Sequence, residues 1–269
     1  MHPPADPRAH ASLLILEVGN SHVSVATWIK GHIPTNRRFE LDQIDEAATH
    51  AMEAWEALPQ ENLRAVAAAS VVPAVLDELR GRLADLADLR IEAVGQELRL
   101  PIETRVDNPQ QVGVDRLCCA AAAYERIRQA CVTASFGTAI TIDCTDKDGV
   151  FLGGAIMPGL VLQARSLHQW TAQLPEVTVD DEPTAVFGAN TEEAIRQGLL
   201  HGVAGAVREI TERYATHLGA WPQLIATGGH AMMISRHCDF IDNVVPNLCL
   251  QGIALAYRRH YAPWVDEPS

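Results

Sequence analysis

Long apolar runs, positive charge and aromatic side chains are scarce in this chain, and each scarcity removes a class of protein. The apolar stretch Leu13 to Leu16 is too short for a signal core or for the roughly 20 residues of a membrane-spanning helix. Lysine and arginine number 21 against 34 acidic residues, a formal charge of −13, which argues against binding along a nucleic-acid backbone. A single nucleotide is still allowed, because backbone N–H groups can hold its phosphates locally. Aromatics are 5% of the residues while 48% are hydrophobic, so the core must be built from Ala, Val, Leu and Ile. The six cysteines, Cys118, Cys119, Cys131, Cys144, Cys238 and Cys249, include no Cys-x-x-Cys pair and no zinc-like spacing. Free thiols fit a reducing compartment. The expectation is a soluble, cytoplasmic protein without nucleic-acid or membrane partners.

Several familiar motifs are also missing. There is no Walker loop ending in Gly-Lys-Ser or Gly-Lys-Thr, and no Gly-x-Gly-x-x-Gly dinucleotide fingerprint. Without His-Glu-x-x-His or Gly-x-Ser-x-Gly, the common metalloprotease and esterase readings fall away as well.

What is present is a pattern that restarts. Leu13 to Val18 reads as a buried strand running into Gly19-Asn20-Ser21, with His22 to Trp28 as its return strand. Asp42 to Leu58 and Ala74 to Leu86 have helical periodicity, and Ala65 to Val72 and Ile91 to Val94 read as strands. An Ala-rich helix follows over Arg116 to Gln129. Then Cys131 to Phe136 is again a strand, Gly137-Thr138-Ala139 a turn, and Ile140 to Cys144 a return strand. Asp148-Gly149 signals a further hairpin into Val150 to Ile156. Leu160 to Thr171 reads as a helix. Asn190 can cap another, with Glu193 three residues on. Leu224 to Ala226 is a strand ending in Thr227-Gly228-Gly229, and Leu248 to Tyr257 closes the chain as a helix. Strands mixed with helices, repeated twice, predict an α/β fold of two similar lobes. The expected division is a disordered tail over 1–12, one lobe over 13–130 and a second over 131–269.

Two glycine turns facing a cleft suit phosphate binding, because no Cβ keeps backbone N–H groups from the oxygens. Phosphoryl transfer needs such positioning more than covalent help from the protein. Glycine hairpin turns are also common in proteins with no such role. Gly113-Val114-Asp115-Arg116 offers an Asp to take a proton from an attacking hydroxyl and an Arg to pair with a carboxylate or phosphate. Taken alone, the same four residues read better as a helix cap and a solvated Arg.

In order along the chain, the segments Gly19-Asn20-Ser21, Ser70-Val71-Val72-Pro73, Asn108-Pro109, Val112 to Leu117, Phe136 to Ala139, Thr141-Ile142-Asp143, Gly153 to Leu160, Thr171 to Pro175, Asn190-Thr191, Thr227-Gly228-Gly229 and Leu250-Gln251-Gly252 resemble the type III pantothenate kinases. That family is similar to the actin-like, acetate-and-sugar-kinase superfamily, so the resemblance implies two ribonuclease H-like lobes. It implies ATP-dependent phosphorylation of pantothenate to 4'-phosphopantothenate, the first step of coenzyme A synthesis. By the same resemblance Asp115 is the general base, and Gly113, Val114, Asp115, Arg116 and Thr191 contact pantothenate. ATP is held by Glu17, Gly19, Asn20, Ser21, His22 and Ser24, together with Gly137, Thr138, Gly228 and Gly229. A divalent cation, Mg²⁺, belongs at Glu17, and a monovalent one, K⁺ or NH₄⁺, at Ser135. A homodimer is implied too, and Gly198, Gly202 and Gly205 would suit a tight helix contact.

This chain departs from the family pattern at both turn heads. Glu17 stands where Asp is usual, which moves the carboxylate outward by one methylene. Ser135 stands where a second Asp is usual, which removes the charge. Trp170 replaces an Arg of many relatives. Three readings follow: a pantothenate kinase with altered cation sites, a kinase acting on another acceptor, or a catalytically impaired homologue that keeps the fold and binds a nucleotide or a protein partner.

Overall fold

The computed structural model describes residues 6–87, 89–179 and 186–262. In chain order the elements begin with β1 (Ser12–Val18), β2 (His22–Ile29), β3 (His32–Glu40), α1 (Ile44–Glu56), β4 (Arg64–Ser70), α2 (Pro73–Ala87), β5 (Ile91–Ala93), β6 (Glu103–Thr104) and α3 (Val114–Ile127). They continue with β7 (Cys131–Phe136), β8 (Ala139–Thr145), β9 (Val150–Pro158), α4 (Leu160–Gln169), α5 (Thr191–Leu218), β10 (Gln223–Thr227), α6 (Ala231–Ser235), β11 (Asn243–Val244) and α7 (Leu248–Tyr261).

The repeat suggested by the glycine turns is present in the sheet topology. The first sheet runs β3-β2-β1-β4-β5. Its β1 is antiparallel to β2, β2 to β3, and parallel pairs join β1 to β4 and β4 to β5. The second sheet runs β11-β10-β7-β8-β9-β6. There β7, β8, β9, β10 and β11 repeat the roles of β1 to β5 with the same parallel and antiparallel senses, and β6 is an added edge. This is an α/β fold with two mixed sheets flanked by helices.

The chain divides into two compact units. One takes the chain up to Glu103, then Asp107–Ala122, and resumes at Leu248; the other takes Thr104–Val106 and Ala123–Asn247. This corrects the expected boundary at residue 130, because α7 completes the first unit rather than the second. The reason is burial on both faces of β1. Leu14, Leu16 and Val18 pack with Ala47 and Ala51 of α1 and with Leu76, Leu79 and Leu83 of α2. The alternate residues Leu13 and Ile15 are fully buried as well. Helix α7 packs against β1 and β4. Ala67 and Ala69 pair in register with Ile15 and Glu17, so only methyl groups rise from that part of β4. Gly252 lies so close to the backbone of Cys118 that a side chain there would overlap it, and α7 therefore seats directly on α3.

The expected disordered tail is corrected in part. Residues 1–5 lie outside the described residues. Pro7–His10 forms a short 3-10 helix, capped by the Asp6 side chain accepting from Arg8 N, and Ala9 and Ala11 are buried. The Arg8 guanidinium sits 4.1 Å from the centroid of the Tyr261 ring, a cation–π contact to the last turn of α7. Tyr261 in turn donates its hydroxyl to Glu92 Oε1 at 2.5 Å. Strand β3 was not foreseen. Only Phe39 of its nine residues is buried, so it has no apolar alternation to read.

The second unit packs Val132, Ala134 and Phe136 of β7, Ile140 and Ile142 of β8, and Leu224 and Ala226 of β10 against Leu199, Val203 and Val207 of α5. The expected cap of α5 is observed. Asn190 accepts from Glu193 N at 3.0 Å, and Glu193 Oε2 accepts from Ala189 N at 3.0 Å. Gly198, Gly202 and Gly205 are not close-packed within this chain, because a Cβ at any of them would meet open space.

Candidate active site

In the first unit the site is built where β1 turns into β2. Gly19 donates its N–H to His22 O at 2.9 Å to close the turn, and Asn20 at its tip is exposed. Antiparallel register places Ser24 opposite Glu17, so their side chains share one face of the sheet. Burial raises the Glu17 carboxyl above its ordinary value of 4.5, against the pull of hydrogen bonds from Cys249 and Ser24 and the charge of Arg38. The nearby Asp115 charge raises it further. Glu17 and Asp115, far apart in the sequence, are thus brought within electrostatic reach of one another. Beneath Glu17, the thiols of Cys118, Cys119 and Cys249 are buried, unoxidised and joined by hydrogen bonds. All six cysteines are free and buried.

Asp115 stands in the first turn of α3, directly after Gly113 and Val114. A Cβ on Gly113 would lie 2.5 Å from Asp115 Oδ1 and 3.6 Å from Val71 Cγ1. The glycine therefore leaves the space in which the carboxylate lies. Oδ1 accepts from Arg116 N at 2.9 Å. Burial raises the Asp115 carboxyl above 3.8, and the hydrogen bond from Arg116 N and the Arg116 charge oppose the rise. A carboxylate with a raised proton affinity and a fixed orientation is suited to accept a proton. The loop before it contributes too: Val72 N donates to Ser70 Oγ at 3.0 Å, holding the end of β4 beside Gly113.

In the second unit the equivalent turn is Gly137-Thr138, both residues exposed, with Gly137 N donating to Ala139 O at 3.2 Å. Two further glycines pack on it. Gly159 donates its N–H to Thr138 O at 2.9 Å, and any side chain at 159 would run into the carbonyl of Gly137. Gly159 also precedes α4, so this helix begins at the turn with its N-terminus, the end that favours anions. Gly228, at φ +96°, would place a Cβ 2.6 Å from Phe136 O, so Thr227-Gly228-Gly229 lies against the strand that leads into the turn. In the sequence, the signal for Gly159 is its position one residue before an apolar helical run. Thr191 is the first residue of α5 and is exposed.

Ser135 occupies the place in β7 that Glu17 has in β1. It pairs in register with Thr141 on one side and Thr227 on the other, which gives a row of three hydroxyls. A buried carboxylate, Asp143, comes one row further from the turn, opposite Thr133. Among the described residues no group of three or more His, Cys, Asp or Glu side chains could hold a metal ion by itself. Mg²⁺ does not need such a group, since it is commonly bound through one or two carboxylates plus substrate phosphates. Glu17, a carboxylate beside a second one, fits that requirement. The neutral Ser135 row does not supply the charge expected at a cation position.

Two mixed sheets of matching topology, each with a glycine turn where its first two strands meet, define an α/β protein of two similar units. The profile of the family described as Type III pantothenate kinase matches residues 13–213. A type III pantothenate kinase of Rubrobacter xylanophilus is 37% identical over 216 residues, covering 78% of this chain and 82% of the relative. One from Geobacter sulfurreducens is 32% identical over 253 residues, covering 92% and 99%. Among solved structures, the chain is similar to a Campylobacter jejuni protein named for the Baf family of transcriptional activators, with TM-score 0.55, 19% identity and coverage of 89% and 94%. It is also similar to the ethanolamine utilization protein EutJ of Carboxydothermus hydrogenoformans, with TM-score 0.53, 14% identity and coverage of 95% and 91%. The chain belongs to the type III pantothenate kinase family, and is thus an enzyme of the kinase class.

Proposed function

We propose that this protein transfers the γ-phosphoryl group of ATP to the primary hydroxyl of pantothenate, with Asp115 as general base. The observation that carries the reading is the pairing of Asp115 with Glu17 beside the Gly19 turn. One carboxylate is free to take a proton, and the other is available to a nucleotide-bound cation. As the pantothenate oxygen attacks the γ-phosphorus, its proton passes to Asp115, and ADP leaves. Bound Mg²⁺ would neutralise phosphate charge. Glu17 would hold it, with Gly19, Asn20, Ser21, His22 and Ser24 along the same side of the nucleotide. Gly137, Thr138, Gly228 and Gly229 form the second phosphate and nucleoside contact, favoured by the N-terminus of α4. Gly113, Val114, Arg116 and Thr191 receive pantothenate, with Arg116 against its carboxylate.

Three finer points belong to the same reading. A monovalent cation is not essential, because Ser135 offers a hydroxyl where a carboxylate would attract one. The protein acts as a homodimer in the cytoplasm. The open glycine face of α5 supports the homodimer, and six free thiols support a reducing compartment. No helix among the described residues is long and apolar enough to cross a membrane.

A coupled ADP-release assay with pantothenate and Mg²⁺, run with and without K⁺, tests the reading. Pantothenate-dependent ADP release that persists without K⁺ is expected. Folded protein that releases no ADP in either condition would instead match the impaired homologue, and release with a different alcohol alone would move the reading to another acceptor.

A further inference from the structure

Phosphate recognition at the first glycine turn leaves a charge problem. Glu17 and Asp115 are both acidic, and a triphosphate adds more negative charge to the same neighbourhood. A cation on Glu17 answers part of it. The register of the sheet identifies a second contributor.

Glu17 on β1 pairs with Ser24 on β2, and Ser24 pairs with Arg38 on β3. Directly opposed residues of antiparallel strands point to the same face, so Glu17, Ser24 and Arg38 form one row across the sheet. Adjacent strands are about 4.8 Å apart, which sets the backbones of Glu17 and Arg38 roughly 10 Å from each other. The residue between them has a short side chain. The Arg38 charge is felt at Glu17 and favours its ionised form. On the opposite face of β3, Arg37 is occupied otherwise, lying 4.8 Å from the centroid of the Phe39 ring.

Several exposed arginines of this acidic protein are held by carboxylates. Arg208 and Arg213 of α5 are examples, each paired with a glutamate one turn away. Arg38 is exposed and holds no ion pair among the described residues. Glu40, two residues further along the same face of β3, is 3.0 Å from His22 Nε2. Arg38 thus rises from the row that ends at Glu17, one residue before the Val18-Gly19 turn. Five N–H donors in a planar fork match phosphate oxygens.

We propose that Arg38 is a nucleotide-binding residue, contacting the phosphate chain of the triphosphate held at the Gly19 turn. This rests on the phosphoryl-transfer reading above. In this arrangement Glu17 and Arg38 act from opposite ends of one row, the first through a cation and the second directly. Ser24 between them leaves room for the anion.

The test is calorimetric titration of the full chain with the non-hydrolysable analogue adenylyl imidodiphosphate and Mg²⁺. Wild type is compared with Arg38→Gln, Arg38→Lys and Arg37→Gln, with circular dichroism to verify each fold. Arg38 is an exposed residue on an edge strand, so its variants are expected to fold. The expected result is affinity reduced by on the order of 10-fold or more in Arg38→Gln, partly restored in Arg38→Lys, and unchanged in Arg37→Gln. Equal affinity in wild type and Arg38→Gln would overturn the proposal. So would equal losses in Arg37→Gln and Arg38→Gln, which mark a general charge effect. If wild type itself fails to bind the analogue, the phosphoryl-transfer reading falls and takes this proposal with it.

Discussion

Gly113 and Asp115 share one small space: the ideal Cβ position of residue 113 lies 2.5 Å from Asp115 Oδ1. The carboxylate can keep its place, accepting from Arg116 N, only while position 113 has no side chain. Replacing Gly113 by Ala is expected to turn or push the carboxylate aside. A displacement of about 1 Å at a reacting group costs on the order of 10²-fold in rate. Steady-state assays of Gly113→Ala should therefore show a kcat loss of that order with little change in thermal stability. Unchanged kcat would mean that Asp115 does not need this position.

Asp115→Asn tests the base itself. Turnover is expected to fall by about 10²–10⁴-fold while nucleotide affinity holds, since the amide keeps the shape but cannot accept the proton. Because burial raises the Asp115 carboxyl above 3.8, the acid limb of kcat/KM in the wild type should lie above that pH. The limb should vanish from the residual activity of the variant.

Glu17 predicts a stability effect with a definite sign. Its carboxyl in the folded protein is raised above 4.5 by burial, so folding favours the protonated form. That contribution is fully present below the ordinary value and is lost as the pH rises through the folded one. Glu17→Gln has no such loss. In the absence of nucleotide and metal, the urea midpoint of the variant should gain on wild type as the pH rises from about 4 to about 8. Parallel curves would show that Glu17 carries no burial penalty.

Gly252 supports the site from below. A methyl group there would meet the Cys118 backbone, so Gly252→Ala must push α7 from α3. Overpacking of this kind costs roughly 1–3 kcal/mol. Chemical denaturation is expected to show a loss in that range, and nucleotide affinity should fall too, because Cys249 of α7 supports Glu17.

How much of this could be read beforehand depended on whether the signal was local. Leu13 to Val18 and Cys131 to Phe136 are short apolar runs ending at glycines, and burial in a sheet interior demands that pattern. The cap of α5 is equally local, contained in Asn190 to Glu193. By contrast, β3 is an edge strand with Arg37, Arg38 and Glu40 exposed to solvent, and its pairing comes from β2 rather than from its own composition. The apolar surface of α7 announces burial on most sides but not the sheet that covers it. Asp115 was visible as a candidate base. That Gly113 clears its space, and that Glu17 stands beside it, depends on contacts between distant segments. The ordered 3-10 helix near the N-terminus rests on Tyr261, at the other end of the chain.

The place of α7 in the sequence has a consequence for how the molecule is made. The second unit is nearly continuous in sequence, so it can leave the ribosome complete before α7 does. The first unit cannot close until α7 arrives to cover Leu13 and Ile15 and to bring Cys249 beneath Glu17. Domains generally fold as units during synthesis, the earlier one first; here the order of completion is reversed. A chain stopped at Asn247 is expected to protect the second unit from limited proteolysis and to leave the first open to cleavage. The unit that carries Glu17 and Asp115 then becomes the later of the two to form, since α7 must be made before these carboxyls have their surroundings.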